Sequence, residues 1–177
     1  LSLNKKMVLQ EIFRVLKTGG ELYFSDVYSS RRIPEDLKND DVMWGECLSG
    51  ALYWNDFYTL IKEIGFKDAR IVKYNKIKIK NKKIQEKLED IDFFSVTYRL
   101  FKLPDILEYD CEDYGQAISY KGSIKNNPKK WALDNHHVFE TNKIYSVCGN
   151  TWNMLNQTRY KNHFNFIGDF KKHYGIF

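Results

Sequence analysis

The chain has 177 residues, 43% of them hydrophobic and 16% aromatic, and a formal net charge of +5 at pH 7. A chain of this length can bury one sizeable core, and the aromatic content excludes an intrinsically disordered protein. No apolar run approaches the roughly 18 residues that a membrane span needs, and no signal peptide opens the sequence. We therefore expect a cytoplasmic protein with no membrane partner.

The most strongly charged segment lies between Lys67 and Lys87, where nine Lys or Arg residues accompany two acids, Asp68 and Glu86. Such a patch can bind nucleic acid or an anionic membrane. No stacking platform and no nucleic-acid motif accompanies it. We therefore interpret the segment as a solvated strand edge and helix face, and we expect no nucleic-acid partner.

Hydrophobic periodicity predicts alternating helices and strands up to residue 103. The predicted elements are a helix over 1–16, a strand over 21–28, a loop or short helix over 31–41, a helix over 54–64, a strand over 69–79, a helix over 81–89 and a strand over 93–103. Because the strand over 21–28 is largely apolar, we expect it to be buried on both faces. The alternation indicates an α/β layered sheet, which the chain enters mid-fold on a helix.

The pattern changes near Pro104. Strand candidates follow at 116–120, 131–140, 143–147 and 163–167, and a helix is predicted from Asn150 or Thr151 to about Tyr160. The sequence thus predicts two domains: residues 1–103 form the α/β part, and residues 104–177 form a small α+β domain.

Three cysteines, Cys47, Cys111 and Cys148, are the first candidates for chemistry. None belongs to a CxxC pair, so free thiols in a reducing compartment are expected. Cys47 is flanked by glycines, which let backbone approach a ligand. A predicted helix start after Cys148 favours its thiolate, whereas the acids beside Cys111 should raise its pKa. The alternative for each is a small buried hydrophobic residue, which is the usual role of a free cysteine.

Asp26 and the pair His136-His137 are weaker candidates. Asp26 interrupts an apolar strand, so it should be paired, capped or placed at the carboxyl end of the strand. Adjacent histidines on one strand point to opposite faces, so we expect no metal ion there. No glycine-rich cofactor loop is found in the sequence, because Gly19-Gly20 is a helix stop rather than a GxGxxG turn.

Several segments resemble known methyltransferases. Residues 9–28, LQEIFRVLKTGGELYFSDVY, are similar to a helix and central strand of class I S-adenosylmethionine methyltransferases. Residues 45–54, GECLSGALYW, are similar to the segment of arsenite methyltransferases whose cysteine binds trivalent arsenic. Further resemblance to microbial members of that family lies at residues 95–103, 111–120, 133–140, 147–151 and 167–169. Together these segments cover essentially the whole chain.

The resemblance implies the C-terminal part of a class I methyltransferase (Rossmann-like) sheet, followed by a small α+β C-terminal lobe. It also implies methylation of arsenite, with S-adenosyl-L-methionine as methyl donor and a thiol such as glutathione or thioredoxin as reductant. The family's N-terminal half, with its glycine loop and first cysteines, has no counterpart here. We therefore assign no catalytic or cofactor-binding residue in this chain, and we expect the chain alone to be inactive.

Of the cysteines that bind arsenic in the family, the one with a counterpart in this sequence is at Cys47. Many members have a further arsenic-binding cysteine just before the strand at Phe93, where this sequence has Ile91 or Asp92. The remaining sulfur would then come from Cys148, Cys111 or an exogenous thiol, since soft thiolates suit trivalent arsenic. Two other functions stay open: a methyltransferase for another small molecule, and a non-catalytic thiol domain that binds arsenic or zinc.

Overall fold

The structure is a computed structural model that describes residues 4–38, 48–88 and 90–177. Its first part contains the helices α1 Lys5–Val15, α2 Glu35–Lys38, α3 Trp54–Ile64 and α4 Lys82–Leu88, and the strands β1 Glu21–Ser29, β2 Leu52–Tyr53, β3 Ala69–Lys76 and β4 Phe93–Phe101. The predicted order of elements is confirmed, with β2 as an addition. The third predicted strand ends at residue 76 rather than 79.

The strands of this part form one four-stranded sheet in the order β2-β1-β4-β3. β4 pairs antiparallel with β1 along its whole length, so that Glu21 lies opposite Phe101 and Ser29 lies opposite Phe93. β3 is also antiparallel to β4, and therefore β1 and β3 run in the same direction. We call the end at which β1 begins the amino end of the sheet and the other the carboxyl end.

Helices α1 and α3 cover one face of the sheet. Gly65 ends α3, because its φ of +120° lies outside the conformations that other residues readily adopt. The buried residues of this core are Leu9, Tyr28, Phe57, Ile61, Phe66, Val96, Tyr98 and Leu100. These side chains fix the helices on the sheet through apolar burial.

The expectation that β1 is buried on both faces is wrong. Leu22 and Phe24 pack against the helix-covered core, whereas Tyr23, between them, is 53% exposed. Successive side chains of a strand point to opposite faces, and the helices cover only one of them. The ring of Tyr23 instead lies 5.1 Å from the guanidinium of Arg99 on β4.

The second part is built from short strands and one helix. Its elements are β5 Glu112–Asp113, β6 Ala117–Tyr120, β7 Lys130–Ala132, β8 Val138–Glu140, β9 Ile144–Ser146, α5 Gly149–Asn156, a 3-10 helix Lys161–His163, β10 Phe164–Ile167 and β11 Gly175–Ile176. β10, β6 and β9 form a three-stranded sheet, and β7 pairs with β8 as a hairpin. We call this part the lobe.

Two predictions for the lobe are wrong in detail. The single strand predicted over 131–140 is the β7–β8 hairpin, because the Asp134 carboxylate accepts hydrogen bonds from the N–H groups of His136 and His137 and closes a turn. The helix predicted to have Asn150 or Thr151 as its N-cap and to run to about Tyr160 instead has Cys148 as its N-cap and spans Gly149–Asn156. Cys148 therefore lies directly at a helix N-terminus.

The lobe packs on the amino end of the sheet. Phe101 and Leu103, at the end of β4, belong to the hydrophobic core of the lobe rather than to that of the sheet. Tyr160 donates a hydrogen bond to Glu21 at the start of β1, and Arg99 donates one to the Leu133 carbonyl oxygen at 2.8 Å. Among the described residues, the core of the lobe and the core under helices α1 and α3 are separate clusters, and a third cluster contains Leu48 and Phe93. The boundary between residues 103 and 104 stays a prediction. Within the described ranges, the helices are too short or too polar to cross a membrane.

Candidate thiol site

Cys47 lies outside the described residues, but the residue that follows it is placed. Leu48 is 2% exposed and packs at the carboxyl end of the sheet. Its cluster includes Phe93 and Ile91. Ile91 is one of the two positions where family members carry a further arsenic-binding cysteine. The described residue Leu48 thus packs beside Ile91 at this end of the sheet.

Cys111 and Cys148 are brought together, although 37 positions separate them in the sequence. The two thiols are close enough to shift each other's pKa, which is raised for Cys111 and lowered for Cys148. Both are free cysteines; Cys111 is exposed and Cys148 is buried. One sulfur of the pair thus faces solvent, and the other lies inside the protein.

The surroundings of Cys148 favour its thiolate. The Thr151 hydroxyl lies 3.4 Å from Sγ, and Nη2 of Arg70 lies 4.0 Å from it. Hydrogen bonds from Cys111 and from the Thr151 side chain and N–H, together with the Arg70 charge, outweigh burial and lower the pKa of Cys148 to about 5. The direction agrees with the expectation from the helix start.

The pKa of Cys111 is raised, as the sequence predicted, but the cause differs. We expected the neighbouring carboxylates of Glu112 and Asp113 to oppose ionisation. The main cause is the hydrogen bond to Cys148, followed by burial and by the charge of that thiolate. The pKa of Cys111 is thus raised, while that of Cys148 is lowered.

Arg70 anchors this arrangement at the contact between sheet and lobe. Its guanidinium forms ion pairs with Asp68, at 2.7 Å, and with Asp134, at 3.3 Å, and its side chain is only 7% exposed. Asp68 also accepts a hydrogen bond at 3.0 Å from Asn150, the second residue of α5. The start of β3 and the helix that carries Cys148 are therefore held by one network of buried polar groups.

Sequence reasoning missed this network. It counted Asp68 and Arg70 only as members of the basic segment between Lys67 and Lys87. One signal was available: a carboxylate two positions before an arginine on a predicted strand lies on the same face, where the two can pair. Asp134 gave no comparable signal, because the hairpin turn that directs it towards β3 was predicted as a strand.

The weaker candidates have structural partners. Asp26 accepts a 2.6 Å hydrogen bond from Lys5 of α1, which matches the paired alternative. The imidazole of His137 lies 2.8 Å from Asp134, beside Arg70. Among the residues that the structure describes, no group of three His, Cys, Asp or Glu side chains is arranged to hold a metal ion.

The mixed α/β part, in which the helix ending RVLKTGG leads into β1, and the appended lobe define a class I methyltransferase fold. A model of the methyltransferase domain matches residues 1–65, and a model of the arsenite methyltransferase C-terminal domain matches residues 114–174. The crystal structure of an arsenic(III) S-adenosylmethionine methyltransferase from Chlamydomonas reinhardtii superposes with a TM-score of 0.95 at 45% identity. This match covers 100% of the chain and 59% of the algal one.

Curated relatives narrow the class further. The chain is 55% identical over all 177 residues to an arsenite methyltransferase of Aquipseudomonas alcaligenes, of which it covers 51%. It is 42% identical over 164 residues to the mouse arsenite methyltransferase, of which it covers 42%. The chain is thus similar over its whole length to arsenite methyltransferases, and it spans about half the length of the curated relatives it matches.

Proposed function

We propose that the protein to which this chain belongs methylates trivalent arsenic, with S-adenosylmethionine as methyl donor and a cytoplasmic thiol such as glutathione or thioredoxin as reductant. The observation that carries the proposal is the match over the whole chain to proteins named for this reaction. The segment GECLSGALYW supports it, because it is the part of the sequence most specific to the family. A cytoplasmic location accords with free thiols, which persist in reducing compartments.

We assign Cys47 as the principal arsenic ligand of the reaction. Trivalent arsenic is a soft centre and prefers thiolate sulfur. In this role Cys47 holds and orients the arsenic, and it does not itself accept the methyl group. Holding the acceptor in one orientation supplies much of the rate when the chemistry depends on alignment. Cys148 and Cys111 stay candidate arsenic ligands, and their adjacency makes them candidates as a pair.

The described residues do not fit the cradle of S-adenosylmethionine. The pair Gly19-Gly20 precedes β1, and a Cβ at Gly19 would lie 2.7 Å from the carbonyl oxygen of Gln157. The lobe therefore fills the space beside these glycines, and no ligand enters there. We assign no cofactor-binding residue in this chain, and we expect the cofactor's main contacts to lie in sequence outside it, since the curated relatives are about twice as long.

A chimaera tests the proposal. Residues 1–177 replace the matching half of the Aquipseudomonas alcaligenes enzyme, and methylated arsenic is measured after incubation with arsenite, S-adenosylmethionine and glutathione. The chimaera should methylate arsenite, and its Cys47→Ser variant should not. Asn165→Ser, an exposed change far from any cysteine in sequence, is the matched control and should keep the activity.

Two results would contradict the proposal. A folded chimaera that binds S-adenosylmethionine but methylates only another acceptor would indicate a different small-molecule methyltransferase. A Cys47→Ser chimaera with undiminished activity would leave the reaction in place but remove Cys47 from it.

A further inference from the structure

A cavity of about 480 Å³ lies at the carboxyl end of the sheet, where β3 ends and β4 begins. Its volume falls within the range of cavities that bind small molecules, roughly 300–1,000 Å³. Ligands of α/β sheets bind beyond the carboxyl ends of the strands. The position and the size of this cavity are therefore those of a ligand site.

One wall of the cavity is the segment over residues 76–80, in which lysine and isoleucine alternate. Ile77 and Ile79 pack against the hydrophobic cluster that contains Phe93, whereas the three lysines of the segment are exposed. The Ile77 N–H donates a hydrogen bond to the Phe93 carbonyl oxygen at 2.8 Å, and the Gln85 side chain donates one to the Ile79 carbonyl oxygen. The wall is thus attached to both β4 and α4.

The charges that line the cavity do not balance. Lys76 forms an ion pair with Asp92 at 2.7 Å, and Asp92 is the only carboxylate among the described lining residues. Within the described ranges, no carboxylate pairs with Lys78 or Lys80. Two positive charges therefore lie at the cavity without a described counter-charge, and a cleft lined by one sign of charge concentrates ligands of the opposite sign.

We infer that this cavity binds the thiol reductant as a small organic anion, a peptide thiol of the glutathione class. The inference rests on the proposed function in naming a thiol. Lys78 and Lys80 donate hydrogen bonds to the carboxylates of the peptide, and the apolar side chains beside them contact its aliphatic part. The recognition is non-covalent, so no bond forms or breaks in the cavity.

The net charge of the ligand distinguishes the thiol from the methyl donor. Glutathione carries two carboxylates and one ammonium group near neutral pH and is a net anion. S-Adenosylmethionine carries a sulfonium and an ammonium group against one carboxylate and is a net cation. Two unpaired lysines attract the first and repel the second.

S-Methylglutathione is a suitable probe, because it keeps both carboxylates while its sulfur can neither reduce nor bind arsenic as a thiolate. Calorimetric titration of the 177-residue chain should give one saturable site, with an affinity that falls as salt is added. The double variant Lys78→Gln/Lys80→Gln should raise the Kd about fivefold or more, since one exposed ion pair contributes up to about that factor. The double variant Lys125→Gln/Lys130→Gln removes the same charge from exposed positions of the lobe and should leave the Kd unchanged.

Three results of this titration would overturn the inference. They are the absence of saturable binding by the folded chain, an equal loss of affinity in the two double variants, and displacement of S-methylglutathione by an equimolar amount of S-adenosylhomocysteine. All four substituted lysines are exposed, so neither double variant removes a buried contact.

The chimaera separates this inference from the proposed function. The ratio of the KM for glutathione to the KM for dithiothreitol, a neutral thiol, should rise about fivefold in Lys78→Gln/Lys80→Gln and stay constant in Lys125→Gln/Lys130→Gln. An unchanged ratio in an active chimaera would reject the thiol site and leave the proposed function standing. Failure of the chimaera to methylate arsenite, with lysine-dependent binding of S-methylglutathione intact, would reject the proposed function and leave the anion site standing.

Discussion

At the scale of single residues, Arg70 is a polar side chain whose loss should cost considerable stability. Arg70→Met would leave Asp68 and Asp134 without their shared cation, and breaking a buried ion pair on one side typically costs about 3–5 kcal/mol. Arg14→Met is the matched control. Its pair with Glu11 is exposed to solvent, and such pairs contribute little to stability. Urea unfolding of both variants measures the difference, and equal losses would contradict the assignment of Arg70 as an anchor.

Asp134 makes the stability of this contact sensitive to acid. Burial opposes its ionisation, but the hydrogen bond and charge of His137 and the charge of Arg70 outweigh burial and lower the pKa of Asp134 to about 2, from an ordinary 3.8. A carboxylate with a lowered pKa stabilises the fold above its ordinary value, and that stabilisation disappears as the pH falls through about 2.

The free energy difference between the parent and Asp134→Asn should therefore shrink by roughly 2 kcal/mol as the pH falls from 5 to 2. Urea unfolding of the two proteins across this range measures that difference, and other acids titrate equally in both. A difference that stays constant with pH would show that the Asp134 charge does not contribute.

At the scale of elements, the turn between α1 and β1 is set by the lobe as well as by its own sequence. Gly19 has a φ of +79°, and an added Cβ would meet the Gln157 carbonyl oxygen. Gly19→Ala should destabilise the protein by about 1–3 kcal/mol from backbone strain, with the clash in addition. Gly175→Ala is a control with a positive φ but open space around the new Cβ, and its effect should be smaller. Thermal unfolding that ranks the two in the opposite order would contradict the contact between turn and lobe.

Long secondary-structure elements were predicted from the sequence more accurately than short ones. The 11-residue helices α1 and α3 each bury one apolar face. Their apolar residues therefore recur at helical spacing, which can be recognised in the sequence. In the lobe, the hairpin β7–β8 has strands of three residues, too short to show a period. Its turn depends on the carboxylate of Asp134 rather than on glycine or proline.

The site was less predictable than the fold. Each cysteine was identified from its neighbours in sequence, and the preference of Cys148 for the thiolate followed from the helix start. Its pairing with Cys111 depends on how the lobe packs on the sheet, and its contact with Arg70 joins residues 78 positions apart. Local sequence patterns carry no information about such contacts. The three cysteines could therefore be chosen as candidates from the sequence, but which of them lie together could not be predicted.

At the scale of the whole molecule, the sheet and lobe provide thiols but no described cradle for a nucleoside. β1 is followed by Ser30, and α3 follows β2 directly, so neither strand-to-helix connection contains a glycine-rich turn within the described residues. Phosphate and nucleoside groups bind at such turns, where backbone N–H groups converge at a helix start. We therefore expect the capacity to hold arsenic and the capacity to hold the methyl donor to be divided between different parts of the full protein.

We accordingly expect the 177-residue chain alone to release no methylated arsenic when supplied with arsenite, S-adenosylmethionine and glutathione. Calorimetric titration with S-adenosylmethionine should give no saturable heat, because the expected contacts lie outside the chain. The chimaera with the Aquipseudomonas alcaligenes half serves as the positive control for both assays. Methylated arsenic formed by the purified chain would contradict this division, since the sheet and lobe would then have to hold the methyl donor without a glycine-rich turn.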